Sequence, residues 1–108
     1  MTPERRRATR HRGVEARCLL RIVAADCRTV LGLAVAEEAS ASGALLLASV
    51  ALPVGPVLLE PEHSHPLAAR LLRFGVLRCQ ERAKGGYLVA GAFDPGLTDE
   101  EAWILVWW

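Results

Sequence analysis

The sequence predicts a small, mainly all-β protein: an antiparallel β-sheet closed into a barrel, followed by one C-terminal α-helix. Short apolar segments have the two-residue period of strands, turns containing Pro and Gly separate them, and a helix-capping pattern occurs near the C-terminus. The chain has 108 residues, of which 52% are hydrophobic. This length fits one domain, and this composition supplies enough apolar surface for a core. Several domains and a wholly disordered chain are therefore excluded.

The first half of the chain contains three predicted strands. Between Val14 and Ala24 the even positions are apolar, and the charged residues occupy odd positions, which is the period of a half-buried strand. The segment Arg28–Ala36 is rich in Val and Leu and predicts a second strand, with a bulge or bend at Gly32. The small residues of Ala39–Gly43 predict a turn, and Ala44–Leu52 predicts a third strand.

Two further strands are predicted in the second half. Val57–Glu60 follows a Pro- and Gly-containing turn, and Tyr87–Phe93 alternates between two turns. The segment Leu67–Arg82 has two interpretations. It is a helix if Gly75 ends it, because Leu67, Leu71 and Phe74 then share one face, or it is a long bent strand through Val76 and Leu77.

A C-terminal helix is predicted to begin near Thr98. Thr98 and Glu101 have the spacing of a capping box, in which each side chain accepts a hydrogen bond from the other residue's backbone N–H. The residues that follow, Trp103-Ile104-Leu105-Val106-Trp107-Trp108, are apolar all round. One side can pack on the barrel, and the aromatic residues Trp103, Trp107 and Trp108 indicate a site for a protein partner or for self-association.

The uncharged segment Gly43–Leu59 has the minimum length of a membrane-spanning helix, but Pro53, Gly55 and Pro56 interrupt it. Two buried strands joined by a turn are therefore favoured, with no transmembrane segment. The three cysteines lack the paired spacing of a zinc ribbon or a redox dithiol. Reduced thiols in a cytoplasmic protein are expected.

Charge is distributed unevenly along the chain. The first 28 residues contain eight Arg and three acidic residues, whereas the remainder contains five basic and nine acidic residues. Residues 1–13 lack apolar periodicity and predict a flexible basic arm, and residues 14–108 are predicted to form the barrel with its helix. Guanidinium groups suit phosphates and the O6/N7 edge of guanine.

Two short motifs carry a resemblance to a known family. Arg6 and Arg10 have the spacing RxxxR, and the turn between the second and third strands reads Glu38-Ala39-Ser40-Ala41-Ser42-Gly43. With the strand pattern around them, these motifs resemble the PilZ domain, whose signature is RxxxR followed by (D/N)xSxxG. The resemblance covers nearly the whole chain. Glu38 stands where the family has Asp or Asn.

The resemblance implies a six-stranded barrel of PilZ type that binds the bacterial second messenger cyclic di-GMP. Arg6, Arg7 and Arg10 would contact phosphate oxygens or a guanine edge, and Glu38 and Ser40 would satisfy polar atoms of the ligand. Gly43 is expected to allow a backbone turn that other residues cannot adopt. Ordering of the arm on the ligand would pass the signal to a partner protein.

Three alternatives to this receptor stay open. One is an adaptor of the same fold that needs no nucleotide, and another is a basic-armed module that binds nucleic acid or an anionic surface. A metal site at Glu60, Glu62, His63 and His65 is weakly indicated, because residues this close in a loop are usually solvated. No catalytic motif is present, so neither enzymatic activity nor a cofactor is expected.

Overall fold

A computed structural model describes residues 11–12, 19–62, 67 and 70–107 of the chain. For residues 11, 12 and 107 it describes only the backbone. The strands are His11–Arg12 (β1), Leu19–Ala24 (β2), Val30–Ala39 (β3), Gly43–Ala48 (β4), Gly55–Pro61 (β5), Leu72–Glu81 (β6) and Tyr87–Phe93 (β7). One helix is described, Asp99–Trp107 (α1).

All pairings between the described strands are antiparallel, and six of the strands close into a barrel. Their order around the barrel is β3-β2-β5-β6-β7-β4, and the pairing of β4 with β3 closes the ring. The short strand β1 adds to the end of β3, where His11 lies opposite Ala39 and Arg12 lies opposite Glu38. The predicted six-stranded antiparallel barrel with a C-terminal helix is confirmed.

Alternate residues of each strand point into the barrel and form one apolar core. The fully buried side chains with the largest volumes are Leu20, Ile22, Leu46, Leu59, Phe74, Val76, Val89, Leu105 and Val106. The rings of Phe74 and Phe93 meet edge to face, with centroids 5.3 Å apart, which adds a favourable aromatic contact to the burial of both side chains. The helix covers the barrel beside β1 and β3.

The structure shows which of the two interpretations of the segment Leu67–Arg82 is correct. The segment Leu72–Glu81 is a strand between β5 and β7, so the strand interpretation is confirmed there. The helical face of Leu67, Leu71 and Phe74 does not form, because Phe74 lies in β6 and Leu71 is exposed just before it.

The structure also tests the predicted bulge near Gly32 and the predicted strands in the apolar segment 43–59. The bulge predicted near Gly32 is present, since the β2–β3 register shifts where Ile22 faces Gly32 and Val23 faces Val30. The apolar segment 43–59 forms β4, a turn and most of β5, as predicted. No helix among the described residues is long and apolar enough to cross a membrane.

The predicted capping box forms at the start of α1. The Thr98 N–H donates to Glu101 Oε1 at 2.8 Å, and the Glu101 N–H donates to Thr98 Oγ1 at 3.0 Å. Arg70 forms a salt bridge with the other carboxylate oxygen of Glu101. The helix N-terminus is therefore satisfied locally and is also tied to the segment before β6.

Replacement of Thr98 by Ala should lower the free energy of unfolding by about 1 kcal/mol, because it leaves the Glu101 N–H without its acceptor. Urea unfolding followed by circular dichroism measures this change. Thr98→Ser keeps the hydroxyl and should retain most of the stability. Equal stability of Thr98→Ala and the wild type would show that the cap is not needed.

Candidate functional site

The turn that carries the second motif joins β3 to β4 and is closed by its own hydrogen bonds. The Ser40 N–H donates to the Gly43 carbonyl at 2.8 Å, and the Ser40 hydroxyl lies 3.4 Å from the same oxygen and 3.2 Å from the Ser42 hydroxyl. Ser40 is only 7% exposed and is the buried polar residue among those that the structure describes. Its hydroxyl therefore shapes the turn as well as lining its surface.

A β-bulge in β3 sets the direction of Glu38. Ala36 lies opposite Leu46 and Glu38 lies opposite Leu45, so Glu37 is an extra residue in β3. In a regular strand without a bulge, side chains two residues apart point to the same side. Glu38 would then point into the barrel like Ala36, and its carboxylate would enter the core. With the bulge, Ala39 returns to the core and Glu38 shares the outer face with Leu45.

This outer face contains a cleft of about 430 Å³ that starts at the motif turn. The cleft crosses four neighbouring strands in the order β3, β4, β7 and β6, and its residues include Glu38, Ser40 and Gly43. The structure therefore brings the three predicted site residues of the second motif together at one edge of a cleft. Arg6, Arg7 and Arg10 lie outside the described residues.

The far side of the cleft consists of residues that the sequence did not identify. Glu38, Leu45, Ala90 and Arg78 occupy one row across the four strands, since each is the register partner of the next. A second bulge, at Leu77, places Arg78 in this row and away from the core side of Val76. No sequence spacing links Glu38 to Arg78, because only the order of the strands brings them into one row.

The floor of the cleft is made of small residues. Ala90 and Ala92 of β7 lie on the outer face, while Val89 and Phe93 point into the core. Gly43 is the register partner of Ala92. These small residues leave open space along β7 and the start of β4, beside Leu45, which lies in the row between Glu38 and Arg78. A planar group can lie in this space.

Gly43 has a different role from the one expected. Its φ is not positive, in contrast to Gly55, Gly85 and Gly86, so the expectation of a special turn conformation is wrong. A Cβ atom at Gly43 would lie 2.4 Å from the carbonyl oxygen of Gly91. The residue is glycine because β4 and β7 approach too closely for any side chain.

The motif turn is also bonded to the segment that leads into α1. The Phe93 N–H donates to the Ser42 carbonyl at 3.0 Å, and the Leu97 N–H donates to the Ala41 carbonyl at 2.7 Å. A Cβ atom at Gly96 would lie 2.9 Å from the Ala41 oxygen, so these two segments are in close contact.

The remaining predicted sites are only partly described. Trp103 is 50% exposed on α1, whereas Ala102, Leu105 and Val106 are buried, so one side of the helix packs on the barrel as predicted. Trp108 and the side chain of Trp107 lie outside the described residues, as do His63 and His65. Within residues 11–12, 19–62, 67 and 70–107, no group of three or more His, Cys, Asp or Glu could hold a metal ion.

Comparisons with known proteins identify no family for this chain. No family profile matches it, and no curated protein matches it either.

Replacement of Gly43 by Ala should lower the free energy of unfolding by about 1 to 3 kcal/mol, because the new methyl group would force β4 away from β7. Gly75→Ala is the matched control. It adds the same methyl group on β6, the strand on the other side of β7, where the nearest atom is 3.8 Å away, and should be nearly neutral. Thermal unfolding of both variants tests this, and equal losses of stability would contradict it.

Proposed function

We propose that this protein is a non-enzymatic, PilZ-like receptor that binds cyclic di-GMP in the cleft beside the Glu38–Gly43 turn and relays the signal to a partner protein. The observation that carries the proposal is the position of the cleft. It opens at the turn with the ExSxxG pattern, and the strand that continues the Arg-rich arm pairs with β3 at Glu38. The described residues at the end of the arm therefore lie beside the turn of the second motif, which supports a shared site for the two motifs.

The chemistry of the two motifs suits a cyclic dinucleotide. Arg6, Arg7 and Arg10 would supply guanidinium groups for phosphate oxygens or guanine edges, and the base of the arm lies at the cleft edge through the Arg12–Glu38 pairing. Ser40 and Glu38 would offer hydrogen-bonding oxygens from the turn. Each good bidentate contact contributes about 1–3 kcal/mol, so a few of them approach the 8 kcal/mol or so of micromolar binding.

The relay is supported by the contacts of the turn and of the arm with the helix region. Ala41 accepts a hydrogen bond from Leu97 in the segment before α1, and Ser42 accepts one from Phe93 at the end of β7. The helix α1 packs beside both β1 and β3. A ligand that orders the arm and fixes the turn would therefore change the surroundings of α1. Trp103 is exposed on the surface of this helix. This aromatic surface is the proposed contact for a protein partner.

Calorimetric titration with cyclic di-GMP at moderate salt, with GTP as the comparison ligand, tests the receptor. We expect micromolar binding that is selective for cyclic di-GMP and is weakened by Arg10→Ala and by Ser40→Ala. Arg28→Ala and Ser49→Ala are matched controls, because both residues are exposed and neither lines the cleft. Binding that these site variants leave unchanged would refute the site.

The second candidate is a nucleotide-independent adaptor of the same fold. It is favoured by the closed turn, in which the Ser40 hydroxyl already contacts Ser42 and Gly43, and by Glu38, whose longer side chain differs from the Asp or Asn of the family. Glu38→Asp separates the two candidates. Binding by Glu38→Asp alone would indicate a pocket lost through one substitution, and no binding by either protein would favour the adaptor.

Tryptophan fluorescence tests the relay, because all three tryptophans lie at positions 103, 107 and 108. The emission therefore reports only on α1 and its end. We expect saturation with cyclic di-GMP to shift the emission, and GTP at the same concentration to leave it unchanged. Calorimetric binding without any change in emission would contradict transmission to the helix.

A further inference from the structure

We infer that Arg78 reads the O6/N7 edge of a guanine base that lies on the small-residue floor of the cleft. The inference rests on the proposed function and deepens it. Arg78 lies outside both sequence motifs, and it is the cationic residue in the described lining of the cleft.

The position of Arg78 fits a ligand contact. Its side chain is exposed, and no described residue forms a salt bridge or a side-chain hydrogen bond with its guanidinium. Three strand spacings of about 4.8 Å separate it from Glu38 along the row, or about 14 Å between their backbones. The two charged residues therefore form opposite walls of the cleft, with Leu45 and Ala90 between them.

The surroundings of Arg78 favour a base over a phosphate as its partner. Leu77 is 66% exposed beside it, and Leu45 is half-buried in the same row. Apolar side chains suit the face of a planar base but offer nothing to a phosphate group. The cleft beside Ala90 and Ala92 has room for such a base, and the planar fork of an Arg matches the two acceptors O6 and N7 of guanine.

This assignment makes Arg78 a specificity-determining residue. Adenine has an N6 amino donor where guanine has the O6 acceptor, so a guanidinium in this position favours guanine over adenine. A contact to phosphate would not distinguish the two bases. Cyclic di-GMP and cyclic di-AMP have the same phosphate backbone, and comparison of the two separates a base contact from a phosphate contact.

The experiment is a calorimetric titration of both cyclic dinucleotides into the wild type, Arg78→Ala and Arg73→Ala. Arg73 is the matched control, because it is an exposed Arg on the same strand and does not line the cleft. We expect Arg78→Ala to weaken cyclic di-GMP binding about tenfold to hundredfold, with little change for cyclic di-AMP. Arg73→Ala should bind like the wild type.

Other outcomes overturn the inference in distinguishable ways. Wild-type binding that Arg78→Ala leaves unchanged refutes the role of Arg78 and leaves the proposed receptor intact. Equal weakening of both cyclic dinucleotides refutes the guanine contact in favour of a phosphate contact. Failure of the wild type to bind cyclic di-GMP refutes the proposed receptor together with this inference. Circular dichroism confirms that each variant is folded.

Discussion

The structure depends on the double pairing of one long strand. β3 pairs with β2 along its first part and with β4 along its second part, from Ala34 to Ala39. This second pairing converts a sheet with two open edges into a barrel and satisfies the backbone groups along both edges. Small residues on the core side, Ala34, Ala36 and Ala39, leave room for the larger side chains that fill the interior from the opposite strands.

Two β-bulges serve both the barrel core and the cleft. The bulges at Glu37 and Leu77 keep Glu38 and Arg78 out of the core, where unpaired charges would be strongly unfavourable. Each bulge also turns its charged side chain towards the outer face that β4 and β7 connect. The close approach of these two strands at Gly43 excludes a side chain there, and Ala90 and Ala92 are the small residues of β7 beside it in the cleft.

The motif turn connects this surface to the C-terminal helix. Its Ala41 carbonyl accepts a hydrogen bond from Leu97 in the segment before α1, and its Ser42 carbonyl accepts one from the end of β7. Ser40 closes the turn from within. The turn therefore contacts both the cleft and the residues that precede the C-terminal helix. This arrangement supports the proposed receptor, in which a ligand in the cleft acts on the C-terminal helix.

The sequence by itself determined the features that depend on near neighbours in the chain. The Thr98–Glu101 cap could be predicted to the atom, because its partners are three residues apart, and the strand period fixed the core positions of β2 and β7. Only the tertiary structure decided that the segment before Gly75 joins a strand, since partners in β5 and β7 override a weak helical pattern. It also decided that Arg78 and Glu38 lie in one row on the outer face of the barrel. Bulges and strand order depend on pairings between residues that are distant in the chain.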